Sequence, residues 1–207
     1  MFSLQSNSTG WALWLRWVLL NLIGWLIMYL LGWLIRFPDD ETFYSMYLPF
    51  LWLVMGAIIA FMQWLAVRHW IKNPSWWIVA VSLGFVAALN VSAPMLLWDK
   101  YVDLSAMRLN SHFQMENVYI GVVFGMILGY AQWLALRRTF SSSGLWIIGS
   151  IVAWTLARFI VEIIPFDWNW SGTSIVHEGL LNSIVAAMTG FVLVRIIDRS
   201  RDVKTVR

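Results

Sequence analysis

Cysteine is absent from these 207 residues, and charged side chains make up only 12% of them. The first absence excludes disulfides, thiolate metal sites and a cysteine nucleophile. The second, set against about a quarter in ordinary soluble domains, excludes a water-facing shell large enough to cover a chain that is 60% hydrophobic. Catalytic signatures are missing as well. There is no HExxH zinc motif and no phosphate-binding glycine loop, and the SSSG at 141–144 is a short loop rather than a nucleophile elbow. No residue is therefore assigned as catalytic and none as a metal ligand.

What is present is apolar length. Charge-free runs occupy 17–35, 42–67, 73–98, 117–136 and 139–157, and a shorter one occupies 179–194. A helix needs roughly 20 apolar residues to cross a hydrocarbon layer of about 30 Å. The expected fold is all-α and polytopic, six transmembrane helices in one membrane domain over 1–207. The sixth run spans if His177, Glu178 and Arg195 reach the interfaces.

Charge placement orients the bundle. With six crossings, the connections near 68–75 and 137–144 share a side with both termini, and that side holds Arg68, Lys72, Arg137, Arg138, Arg195, Arg199, Arg201, Lys204 and Arg207. The opposite connections hold only Arg36, Lys100 and Arg108, and gather acids such as Asp39, Asp99, Asp103 and Asp167. Lys and Arg in short loops mark the cytoplasmic face, so both termini are expected in the cytoplasm. A net charge of +3 is thereby explained by topology and anionic lipid rather than by nucleic acid. Residues 198–207 read as a basic cytoplasmic tail.

A phrase is written twice. QWLAVR begins at Gln63 and QWLALR at Gln132, and at this offset of 69 the segments 56–88 and 125–157 match at ten of thirty-three positions. Glutamine, tryptophan and arginine align (Gln63/Gln132, Trp64/Trp133, Arg68/Arg137, Trp77/Trp146), which apolar composition alone does not produce. A weaker third copy places GFVLVR, 190–195, in the slot of Gln63 to Arg68, and Trp17 with Gly24 repeats the spacing of Trp77 with Gly84. Three hairpins over 11–70, 71–139 and 140–197 follow. Parallel repeats are related by an axis along the membrane normal, so a pseudo-threefold bundle is expected.

The pattern Gly-x6-Gln-Trp-x2-(Leu/Val)-Arg, followed by a helix opened by an aromatic residue, resembles a set of prokaryotic, cyanobacterial-type multi-pass membrane proteins with no activity attached to them. The resemblance implies a bacterial inner membrane or a thylakoid-type membrane and no chemistry. The three-pair mitochondrial carriers are excluded, because their Pro-x-Asp/Glu-x-x-Lys/Arg signature is missing.

Candidate site residues fall into two groups. Gln63 and Gln132 lie about five residues inside the basic end, where a buried amide needs a partner, and they read as interhelical pins. Trp64 and Trp133 beside them, and Trp77 and Trp146 at helix starts, read as anchors in an aromatic belt. Gly121, Gly125 and Gly129 are spaced for close helix packing, within the bundle or between copies. The second group lies toward the acidic side. Arg158 and Glu162 are four apart on one helix face and read as an ion pair, with His177, Glu178, Asn182 and Asn90 nearby in the topology. Ionisable groups at that depth face a partner or a wet cavity.

Three functional classes remain. The leading expectation is a non-enzymatic membrane module that binds a hydrophobic ligand (pigment, quinone or lipid) or a larger membrane complex, with homo-oligomerisation through the glycine face open to it. The alternatives are a small-solute or lipid transporter built on three hairpins, and a membrane-embedded enzyme with an outward polar site. The cofactor is not legible.

Overall fold

The computed structural model describes residues 3–34, 41–97, 115–164 and 171–205. All of its regular structure there is helical: α1 Ser3–Leu34, α2 Glu41–Val67, α3 Pro74–Leu97, α4 Met115–Leu136, α5 Leu145–Ile163 and α6 Ser171–Thr205. Each of the six contains a stretch long and apolar enough to cross a membrane. The chain is a multi-pass helical membrane protein.

Each helix packs against its neighbours in sequence, and α6 closes onto α1, which makes a ring of six. The ring closes antiparallel. Trp14 in α1 donates from Nε1 to the Ala187 carbonyl of α6 at 2.9 Å, while Gly10 abuts Val194 and Gly179 abuts the indole of Trp25. Hence α1 begins where α6 ends. We call this the near end; it also carries the α2–α3 and α4–α5 turns, which are joined where the Lys72 amide donates to Thr139 Oγ1 at 3.1 Å.

The burial pattern is that of a bundle in lipid. Leu15, Leu19, Ile23, Leu26 and Leu30 form an exposed apolar stripe along α1, and Gln63, Gln132, Ser150, Thr189, Glu162 and His177 are buried. In water that arrangement loses the hydrophobic contribution of the outer residues. In a hydrocarbon phase it is favourable, because polar groups then find partners only inside.

Close approach depends on missing side chains. A Cβ on Gly125 would lie 2.7 Å from the Ser150 carbonyl oxygen, one on Gly121 2.8 Å from that of Trp154, and one on Gly129 2.7 Å from the Ser150 side chain. The glycine face of α4 is thus spent on α5, inside the bundle. Gly84 of α3 sits against Ala131 and Leu128 of α4, and Gly24 of α1 against Ile59 and Met62 of α2.

Three boundary expectations change. The fifth span is Leu145–Ile163 rather than 139–157, because 137–144 is turn and loop. Arg158 and Glu162 lie within it, as expected of this span. The sixth span runs over Ile175–Ser200, beyond the charge-free 179–194. Helix α6 continues to Thr205, so most of the anticipated tail is helical. Charged residues interrupt a hydropathy window but not the helix, because they retain backbone hydrogen bonds and have partners or interfacial water.

Candidate functional site

The tryptophans near the starts of α3 and α5, which read as interfacial anchors, are instead at the centre with Trp17 of α1. Trp17, Trp77 and Trp146 are at most 1% exposed and meet one another edge to face. Their ring centroids are 6.0 Å apart for Trp17–Trp77, 5.7 Å for Trp17–Trp146 and 6.2 Å for Trp77–Trp146, with interplanar angles of 81°, 88° and 74°. Edge-to-face pairing sets each positive ring edge on a negative ring face and contributes about 0.5–1.5 kcal/mol per pair beyond burial. One indole comes from each odd helix, so the triad closes the ring's axis near its near end. The belt expectation is corrected for these three. It suits Trp11 and Trp76, which are exposed.

Above the triad runs a chain of amides. Trp146 Nε1 donates to Gln132 Oε1 at 2.9 Å, Gln132 Nε2 donates to Gln63 Oε1 at 3.0 Å, and Gln63 Nε2 donates to Asn21 Oδ1 at 2.8 Å. Asn21 Nδ2 returns to the Trp17 carbonyl at 2.8 Å, and Trp17 Nε1 donates to Thr189 Oγ1 at 3.1 Å. Five of the six helices are tied by this path. The third indole is outside it: Trp77 Nε1 is buried and has no hydrogen-bond partner among the described residues.

A cavity of about 40 Å³ lies on the axis, bounded by Trp17 and Trp146 below, by Asn21, Gln63, Gln132, Asn182 and Thr189 at its polar wall, and by residues of all six helices. At about 10–15 Å³ per water centre it holds on the order of three waters. Pigment and quinone pockets need several hundred. Sequence reasoning missed Asn21 and Thr189, although each is an uncharged polar residue inside an apolar span, the signal that singled out the glutamines.

Trp64 and Trp133 serve the near end differently. Arg68 lies 5.5 Å over Trp64, Arg137 5.0 Å over Trp133 and Arg195 5.1 Å over Phe191. In each case the aromatic residue is four before the arginine, one helical turn, which is the spacing that stacks side chains. Such cation–π pairs hold the guanidinium at the interface.

Toward the far end, α5 and α6 bring ionisable groups together, though not in the expected pairing. Arg158 Nη1 lies 3.8 Å from Glu178 Oε1, and His177 Nδ1 lies 3.9 Å from the same oxygen. Glu162 is buried and accepts a hydrogen bond from Asn117 Nδ2 of α4 at 2.8 Å. The i, i+4 rule considers one helix alone, and here both side chains turn to neighbouring helices, where desolvation is offset by a partner. Asn117 was not foreseen. Asn182 donates to the Glu178 carbonyl one turn up and lines the axial cavity, so it joins the two polar regions. Asn90 does not belong to them: it is exposed and bonds its own helix at Val86. Arg158 Nε is buried without a partner among the described residues. Asp39, Asp99, Asp103, Asp167 and the loop cations Arg36, Lys100 and Arg108 lie outside the described residues.

The arrangement sets amide groups around a space large enough for water, and it sets the Arg158 guanidinium and His177 beside the Glu178 carboxylate. Among the described residues no three His, Asp or Glu side chains cluster as metal ligands. No family model, curated protein or solved structure matches the chain.

Proposed function

We propose that this protein is a membrane transporter for a proton or small inorganic ion, with the bundle axis as its pathway. The observation that carries the reading is the axial cavity with a polar wall of Gln63, Gln132, Asn21, Asn182 and Thr189, bounded by Trp17 and Trp146 of the indole triad. The ion enters from the far end past Arg158, Glu178 and His177, passes Asn182, and meets the indole plug. Intramembrane ionisable groups that face one another beside a polar cavity are the usual markers of such a route. The reading takes precedence over the hydrophobic-ligand module because the interior volume suits water, not a flat ring system.

The architecture belongs to the proposal. Three related hairpins around one axis are supported by the three Arg-over-aromatic pairs, by the triad, and by Gly24 and Gly84, whose neighbours Ile59 and Met62 correspond at offset 69 to Leu128 and Ala131. The near end is assigned to the cytoplasm on the excess of arginine there, in a bacterial inner or thylakoid-type membrane.

Reconstitution tests the reading. Liposomes holding the purified protein are loaded with a proton-sensitive dye, and ion-selective electrodes follow Na⁺, K⁺ and Cl⁻. Flux of one of these above empty liposomes, lowered about tenfold or more by Glu178→Gln, is expected. Vesicles as tight as empty ones to all four ions contradict it.

A further inference from the structure

A second concavity lies away from the axis, at the seam where α1 and α6 close the ring. It encloses about 240 Å³ and is lined by Gly10, Trp11, Trp14, Phe191, Val194, Arg195 and Asp198. Its position along the helices is interfacial, because Arg195, Asp198 and Arg199 follow directly on the charge-free run 179–194 of α6. The walls are aromatic: Trp11 and Trp14 meet edge to face at 5.4 Å, and Phe191 lies under the Arg195 guanidinium. The Trp14 N–H is already committed to the Ala187 carbonyl, which fixes this indole as a wall.

The rim carries opposite charges that do not neutralise each other. Arg195 and Asp198 are three apart on α6, yet Asp198 makes no ion pair or hydrogen bond among the described residues. Arg195 has five N–H donors suited to a phosphate. Asp198 offers acceptors suited to an ammonium, beside indole faces that attract a cation. We infer that this groove binds one phospholipid with a zwitterionic, primary-amine headgroup of the phosphoethanolamine type: its phosphate on Arg195, its ammonium on Asp198, and its upper acyl chain against Trp11 and Phe191. A headgroup that is only anionic meets Asp198 with like charge. A quaternary choline has no N–H to donate to it. The primary amine satisfies both rim residues.

Delipidated protein, titrated in native mass spectrometry with phosphatidylethanolamine, phosphatidylcholine and phosphatidylglycerol of matched chains, tests the assignment. One phosphatidylethanolamine is expected to bind about fivefold or more tightly than either other lipid, the scale of a single interfacial ion pair. Asp198→Asn should erase that preference, bringing phosphatidylethanolamine to the phosphatidylcholine level. Arg195→Gln should weaken phosphatidylethanolamine and phosphatidylglycerol alike. Both side chains sit at the rim, and size-exclusion profiles report whether the fold is kept. Equal binding of the three lipids by the wild type, a preference for phosphatidylglycerol, or an unchanged preference in Asp198→Asn overturns the inference.

Discussion

Gln132 donates through Nε2 to Oε1 of Gln63 at 3.0 Å, so the two polar residues of a phrase written twice are each other's partners. Both are buried, and both line the axial cavity. Single interhelical hydrogen bonds in membranes contribute modestly, about 0.6 kcal/mol on average and up to about 1.7. A double-mutant cycle of Gln63→Leu and Gln132→Leu, followed by unfolding in mixed micelles, should give a coupling in that range. Additive losses would place the two amides in separate environments.

The triad has a built-in asymmetry. Trp146→Phe removes the donor to the Gln132 carbonyl and Trp17→Phe the donor to Thr189 Oγ1, whereas Trp77 Nε1 has no partner to lose among the described residues. All three substitutions remove similar volume. Trp77→Phe should therefore be the mildest by about 1 kcal/mol or more, read as the shift in unfolding midpoint. Equal losses would mean that the indole N–H groups contribute nothing.

Glycine positions separate by what surrounds them. Gly125→Val drives a side chain into the α5 backbone at Ser150 and Ile151, while a Cβ on Gly144 meets nothing within 4 Å and its backbone is already helical. The first should cost several kcal/mol or prevent accumulation. Gly144→Ala should be neutral or stabilising by about 0.4–1 kcal/mol. Thermal denaturation in mild detergent distinguishes them.

At the far end, stability and transport should part. Asn117→Leu removes a donor to the buried Glu162 carboxylate and should lower the amount of folded protein, whereas Glu162→Gln keeps an acceptor for Asn117 and should fold. Glu178 is half-exposed, and Glu178→Gln should leave folding intact while lowering flux. Size-exclusion yield and flux measured on the same preparations give the comparison. Loss of folded Glu178→Gln would make its contact with Arg158 structural.

Much of this was legible in the residues. Six charge-poor runs gave six helices, and the rare polar identities at offset 69 singled out Gln63 and Gln132 as amides in need of partners. Facing was not legible. Helices that are apolar on all sides carry little periodic signal, so Trp17, Trp77 and Trp146 were read by the interfacial habit of tryptophan rather than by their shared direction. The pairing of Arg158 with Glu178 was hidden for a related reason: helical spacing ranks neighbours on one helix, and the decisive contact crosses from α5 to α6. Asn117 and Thr189 were visible as polar residues in apolar runs, but their partners depend on which helices the ring places side by side.

The natural lack of cysteine makes the central claim directly measurable. Single cysteines at Asn182 and Thr189, both lining the axial cavity, can be exposed to membrane-impermeant silver ion from either side of sealed vesicles. An axial pathway barred by indoles predicts labelling from the far side alone, and from both sides once Trp17→Ala is added. Protection from both sides in the parent and in the Trp17→Ala background, or entry from the near side with the triad intact, would contradict it.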